Sequence, residues 1–395
     1  MYIGPRRRKK ERKNLIRFVA LLLLILALGE IYVIQKNPRW ARPFEPTPTP
    51  TPPLEFYMYQ AEELYWEGRL DEAIAAYQQA VNMDPHNDTA LVRLARLQIM
   101  RGHTAEALSN AQRAVEIDPR IAENQGTLCR ALDWVGQYDE AIAVCSEAID
   151  LDENYAEGYS YLAEAYADKG DWGRALANAR RGVELNPRSV DAHRNMGYVL
   201  EMQAKYKNAI QSYEEAIRLH PKLIALYISA GRNYRILGDF DKAIEQFDKA
   251  IEVDPTDPEG YDQIGWTYYT DGDYTRAETY LQKATEVEPT YHISWAHLGV
   301  LYYVRRRYED AIPALEKAIE LGAGNVEYYY ELGLSYIYLD QCDKGVPWLI
   351  KAVEMDPNAV AAWGGLALCP EKPGEHRPPT PVPTPTPLVT PTPEG

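Results

Sequence analysis

Seven prolines of this chain, Pro85, Pro119, Pro187, Pro221, Pro255, Pro289 and Pro357, are separated by 34 residues or a multiple of 34, and the two vacant slots hold Glu153 and Ala323. A fixed period of this size marks supersecondary units too small to bury an apolar face alone, so each must stack on its neighbours. Length is then no guide to domain number, because the 395 residues grow by adding units around no single centre.

Nine repeats start at Leu54, Asp88, Ala122, Ala156, Val190, Ile224, Pro258, His292 and Val326, and Val360 to Cys369 reads as the first helix of a tenth, serving as a cap. With the start as position one, positions four, seven, eight and eleven are Tyr261, Ile264, Gly265 and Tyr268 in the seventh repeat. They are Trp295, Leu298, Gly299 and Tyr302 in the eighth, and Tyr329, Leu332, Gly333 and Tyr336 in the ninth. Helix residues advance about 100° each, so these four share one face of a first helix. In the second half of a repeat small residues flank a large one, as in Ala243, Phe247 and Ala250 or Ala73, Tyr77 and Ala80. Gly68, Gly102, Gly136, Gly170, Gly238 and Gly272 hold position fifteen, where the first helix must stop and the chain turn; the eighth and ninth repeats put Arg306 and Asp340 there. Proline at position thirty-two closes the second helix. Pro313 falls early enough in its helix to be tolerated.

Trp-x-x-Leu-Gly-x-x-Tyr, then Ala-x-x-x-Phe, then Pro resembles the tetratricopeptide repeat pattern, across nearly all of the chain outside its ends. The resemblance implies an all-α, right-handed superhelical solenoid of helix-turn-helix units whose concave face receives other proteins.

Net charge is −16, but residues 1 to 17 carry eight Lys/Arg and one Glu, which leaves a strongly acidic body that repels nucleic acid. Leu15 to Ile34 is a twenty-residue stretch broken by Arg17, Gly29, Glu30 and Tyr32. Twenty helical residues rise about 30 Å, the thickness of the hydrocarbon core. Seven Lys/Arg precede Leu15, against Lys36, Arg39 and Arg42 after it. The positive-inside rule then keeps the N-terminus in the cytoplasm and sends the repeats across. A cleaved secretory signal is the rival reading, on the small-residue stretch Ala27-Leu28-Gly29, although Ile31 to Ile34 continue the apolar run past it. The expected division is a basic tail (1–14), a spanning signal-anchor helix (15–35), a Pro/Thr-rich linker (36–53), nine repeats (54–359), a capping helix (360–369) and a Pro/Thr-rich tail (370–395). Proline fixes φ and removes a donor, so Pro46–Pro53 and Pro378–Pro393 suit extended polyproline II spacers.

The sequence holds no phosphate-binding glycine loop, no His-Glu-x-x-His and no Cys-x-x-Cys, and its seven histidines are scattered. The expectation is a protein that is no enzyme and holds no cofactor or metal. Cys129 and Cys145 fall at positions eight and twenty-four of the third repeat, facing each other across one hairpin. Cys342 and Cys369 lie on helices expected to run antiparallel. Either pair suits a disulfide in an exported domain, and Cys129 and Cys145 suit small buried hydrophobes equally.

Positions two, five, nine, twelve and thirteen of the first helices share the face that, by the resemblance, lines the concave groove. In the first five repeats it holds Glu55, Glu62, Glu123, Asp133, Glu157, Glu164, Asp168 and Asp191 with Arg96, Arg130 and Arg194. In the last four it turns apolar and aromatic, with Ile228, Ile236, Val300, Val304 and Ile337 beside the candidate ligand-groove set of Arg232, Arg235, Trp266, Tyr269, Tyr303, Tyr330, Leu334 and Tyr338. A solvent-facing stripe should be polar, and an apolar one marks contact. The reading is a membrane-tethered scaffold whose protein or peptide partner docks on these rings, with Arg232 and Arg235 taking a carboxylate or carbonyl. Glycan binding by the same rings, or a purely structural spacer that self-associates, are the alternatives. The Lys/Asn clamp of chaperone-docking relatives is absent, since positions five and nine of the first two repeats are Met58, Glu62, Val92 and Arg96.

Overall fold

The computed structural model describes residues 6–36 and 52–369, in two units divided between Pro53 and Leu54. The expected Pro/Thr-rich spacer over 37–51 and tail over 370–395 lie outside the described residues. In the first unit, α1 (Arg6–Lys36) runs unbroken for 31 residues. Its segment Leu15–Val33 has mean hydropathy 2.3 and, among the described residues, is the one helical stretch long and apolar enough to cross a bilayer.

The second unit is helical throughout, with no strand among the described residues. The first helix of each hairpin begins where a repeat begins: α2 (Leu54–Trp66), α4 (Asp88–Met100), α6 (Ala122–Trp134), α8 (Ala156–Asp168), α10 (Val190–Met202), α12 (Ile224–Ile236), α14 (Pro258–Asp271), α16 (His292–Val304) and α18 (Val326–Tyr338). Their antiparallel partners are α3 (Leu70–Met83), α5 (Thr104–Ile117), α7 (Tyr138–Leu151), α9 (Trp172–Leu185), α11 (Tyr206–Leu219), α13 (Phe240–Val253), α15 (Tyr274–Val287), α17 (Tyr308–Glu320) and α19 (Cys342–Met355), and α20 (Val360–Ala367) caps the stack.

Each hairpin turns on a single residue. The glycines at position fifteen take left-handed φ from +77° to +89°, and the next N–H bonds back to the carbonyl of position eleven, as Arg69 N–H does to Leu64 O at 2.9 Å. Ala204, Arg306 and Asp340 are forced into the same conformation, at φ of +56°, +59° and +60°. The helices then return at close range. A Cβ on Gly231 would lie 2.4 Å from the Phe247 ring, and one on Gly299 2.6 Å from Leu315, so position eight is kept bare to admit the large side chain at position twenty-four. The third repeat uses the same two positions differently, with Cys129 and Cys145 joined as a disulfide. A second bond, Cys342–Cys369, ties the end of the cap to α19.

Position four does more than fill the core. Tyr227, Trp295 and Trp363 each donate a hydrogen bond to the carbonyl of the proline six residues earlier, at 3.1, 2.9 and 3.0 Å, and Gln125 does the same to Pro119 at 2.9 Å. The contact pins each inter-repeat turn to the helix that follows. Pro313 is accommodated inside α17, and Pro347 at the equivalent place in α19.

The stack curls far enough for its start to meet its own middle. Tyr65 and Trp66 pack on His220 with ring centroids 4.7 and 4.5 Å apart, and a Cβ on Gly68 would fall 2.3 Å from the Lys222 carbonyl oxygen. Arg101 pairs with Asp71 at 2.7 Å and with Asp257 at 3.3 Å. Inside this curl the acidic face expected to line an open groove is consumed by its own arginines. Asp191 accepts from Arg96 at 2.6 Å, from Arg130 at 3.4 Å and from the Tyr161 hydroxyl at 3.0 Å. Glu164 accepts from Arg194 at 3.0 Å and from the Trp134 indole at 3.2 Å, and lies 3.7 Å from Arg130. Glu123 faces Arg96 at 3.4 Å. Arg130 is only 2% exposed and lies over the Tyr161 ring. Burial alone would raise the Asp191 carboxyl; Arg130, Arg96 and Arg194 outweigh it and hold it far below the usual carboxylate range. Glu164, with burial opposed by Arg194 and Arg130, is lowered too.

These outcomes follow from this architecture. Ala204→Gly removes a left-handed alanine and should raise stability to urea by about 0.5–1 kcal/mol, after the extra chain entropy of glycine. Arg130→Ala leaves two buried carboxylates short of a cation and should cost about 3–5 kcal/mol, little changed by salt. Because Asp191 and Glu164 titrate below their ordinary values, their contribution is complete above about pH 5 and drains as the pH falls below about 4, which an acid-unfolding series measures. Thiol counting in denaturant should find no free cysteine, and reducing the Cys129–Cys145 bond should lower stability by about 3 kcal/mol.

Candidate protein-binding face

On the far half of the stack the inner positions carry rings instead of ion pairs. Trp266 and Tyr269 lie about one turn apart on α14 and stack at 4.5 Å between centroids. The other face of Trp266 stacks on His297 of α16 at 4.1 Å. His297 is fixed in turn by Asp262, a fully sealed side chain whose carboxylate oxygens lie 2.9 and 3.0 Å from Nδ1. The three rings therefore form a stack that is oriented before anything docks. Further along, Tyr303 lies 6.0 Å from Tyr308, and Tyr308 4.9 Å from Tyr338. Tyr330 donates its hydroxyl to Glu327 at 3.1 Å. Tyr338 is 47% exposed, and Trp266, Tyr269, Tyr303 and Tyr330 are half-buried.

Other members of the expected set are placed differently. Leu334 is 5% exposed and packs on Gly365 of the cap and on the surrounding core, so it is a packing residue and not a groove contact. Ile228, Val300 and Ile337 are buried likewise. The physical reason is that neighbouring first helices meet along part of the face expected to be free, and aliphatic side chains fill that seam. Arg235 is already engaged, its Nη1 donating to Gln263 Oε1 at 2.9 Å; burial, with Arg232 beside it, pulls its pKa down to about 10. Arg232 has its Nε buried without a partner. It is the guanidinium of the two that is left to meet a ligand. Beneath the rings, Glu331 is 7% exposed with Oε2 unpartnered, and burial, then Glu327, pushes its carboxyl up to about 8.

Tyr308, Tyr274 and His297 join this track and were not among the expected residues. Their signal was present: position seventeen is aromatic in six consecutive repeats, as Tyr138, Trp172, Tyr206, Phe240, Tyr274 and Tyr308. A half-buried run of ring faces with one spare guanidinium suits contact with an apolar or proline-containing chain. No group of His, Cys, Asp or Glu able to hold a metal ion is formed among the described residues.

Three sequence families match the chain. One, described as the Cilia and flagella-associated protein 70 C-terminal domain, covers residues 165–376; a tetratricopeptide repeat family covers 64–132 and a further TPR repeat family 135–170. No curated protein matches. Among solved structures, the APC/C hetero-tetramer Cut9–Hcn1 is similar at 19% identity and a TM-score of 0.57, over 75% of this chain. The chain spans 59% of that chain's length. A structure described as the functional characterization of Pseudomonas aeruginosa pilF is similar at 16% identity and a TM-score of 0.46, covering 54% of this chain and 98% of that one. The left-handed turn every 34 residues, the bare position eight and the three family matches have one meaning: the chain belongs to the tetratricopeptide repeat family, its residues 165–376 falling in the group named for the C-terminal domain of cilia and flagella-associated protein 70.

Proposed function

We propose that this scaffold is tethered to a membrane by α1 and holds an extended peptide or a helix of a partner protein across the aromatic track of repeats seven to nine. Tetratricopeptide repeats serve as protein–protein interaction scaffolds, and the open question is where on this one the partner sits. The observation that carries the assignment is the Trp266 stack: rings held rigid by Tyr269 on one face and by His297 and Asp262 on the other, yet still half-open. Rings already fixed lose little freedom on binding, so more of their contact energy reaches the affinity. Arg232 supplies the polar anchor. Leu15 to Val33 stays in the bilayer with the Lys/Arg-rich end in the cytoplasm.

A photoreactive residue at position 269, activated in intact cells, should crosslink to a partner protein. Trp266→Ala with Tyr303→Ala should reduce capture roughly thirtyfold or more, at about 2 kcal/mol for a ring acting as a hot spot, while helical circular dichroism is unchanged. Capture that persists in the double variant removes this face as the docking site. Protease added outside whole cells should digest the repeats and spare the first residues; the reverse pattern would invert the topology.

A further inference from the structure

A hollow of about 370 Å³ lies where α6, α8, α10 and α12 meet. Asp133 lines it at 3% exposure, and no donor reaches either of its carboxylate oxygens. Asp168 lines it as well, with Oδ1 taken by the Tyr198 hydroxyl and its carboxyl within hydrogen-bonding reach of Asp133. The same wall carries Trp134 and Tyr138, both partly exposed.

The charges around the hollow do not balance. Four carboxylates line it, Asp133, Glu164, Asp168 and Glu201, against the guanidiniums of Arg194 and Arg232. Arg194 is spent on Glu164 and on Asn195. Glu201 is served by the Tyr213 hydroxyl at 2.9 Å and by Asn233 at 2.7 Å. Arg232 is on the same lining, yet neither it nor any other cation forms an ion pair with Asp133 or Asp168 among the described residues, and the two carboxyls are left facing each other. Burial, then Glu164 and Asp168, pushes the Asp133 carboxyl up to about 9.

We propose that this hollow is a binding site for a primary ammonium group on an alkyl stem, with the ammonium seated between Asp133 and Asp168 and the stem lying along Trp134 and Tyr138. An ammonium is a compact charge with three donors, enough for both oxygens of Asp133 and the free oxygen of Asp168. Methylene groups next to the charge favour aromatic walls, and the charge itself is attracted to ring faces within about 6 Å. Two sources carry this chemistry: a lysine of a partner chain, and a free diamine. Arg232 borders both this hollow and the aromatic track, but Asp133, Asp168, Trp134 and Tyr138 belong to the hollow alone, so the site stands whatever occupies that face.

The test is calorimetry on the full chain in detergent micelles with three probes: 1,5-diaminopentane, the peptide acetyl-Gly-Lys-Gly-amide, and calcium chloride. At least one ammonium probe should bind the unaltered protein and bind at least tenfold more weakly to Asp133→Asn and to Tyr138→Ala. Binding of the diamine alone names a free amine as the ligand, binding of the peptide alone names a lysine side chain, and binding of both leaves the ammonium chemistry in place. Asp133→Asn should unfold at the same temperature as the unaltered protein or higher, because it removes a buried carboxylate that no donor serves; a merely structural Asp133 would lower it. Should Asp133→Asn not fold, Tyr138→Ala at the rim decides. The proposal is overturned if neither ammonium probe binds, if binding survives in the variants, or if calcium binds there and the amines do not.

Discussion

Everything in the solenoid is built on one backbone conformation, the left-handed residue at position fifteen. A helix that ends in a left-handed residue returns its last carbonyls to the N–H groups just beyond it and sends the chain back along its own side. Once the direction is fixed, the second helix must pass position eight, and only a small residue there lets Phe247, Leu281 or Leu315 pass. The 34-residue period is the length of two helices and two turns, and the inner wall is what remains after that packing is complete. Where Ala204, Arg306 and Asp340 replace glycine, the turn is kept in spite of the side chain, so surrounding packing is strong enough to impose it.

The period also sets what one first helix can offer the next. Trp134 meets Glu164, Tyr161 meets Asp191, Glu164 meets Arg194 and Asp168 meets Tyr198, all at a separation of thirty residues. A residue late on one first helix therefore faces a residue one turn earlier on the next. In repeats two to five this register brings carboxylates to guanidiniums and hydroxyls, and the wall neutralises itself except at Asp133 and Asp168. In repeats seven to nine the corresponding places hold rings and aliphatic side chains, and the wall stays apolar. One geometry thus yields an ion-paired half and an aromatic half, according to which side chains stand thirty residues apart.

Repeat boundaries were readable from sequence because they depend on local chemistry: a glycine that turns, a proline that stops, an apolar face of helical spacing. The state of the inner face was only partly readable. Its composition was visible, and so was the change from charged to aromatic. Periodicity on one helix, however, does not reveal what stands opposite. Leu334 and Ile337 look exposed on a helical wheel and are covered by the cap and by α19, while Glu164 and Asp191 look like groove carboxylates and are already paired. A search for complementary residues thirty apart would have exposed the ion pairs, and the aromatic at position seventeen would have extended the ring track to Tyr308. The curl that brings Tyr65 onto His220 is a sum of small rotations over five repeats, and no local pattern carries it.

The contrast between the two halves decides which can gain from a partner. A guanidinium that already has two carboxylates, as Arg130 has, can only lose bonds when a ligand displaces one, and its desolvation is complete. A half-exposed ring still has apolar surface in contact with water, and covering it is worth about 25 cal/mol for each Å². Trp266 and Tyr303 also keep their orientation through neighbours on the protein side, so that gain is not offset by ordering them. The ion-paired half holds the curl, and most of the apolar ring surface still in contact with water lies on the half that the chain leaves aromatic.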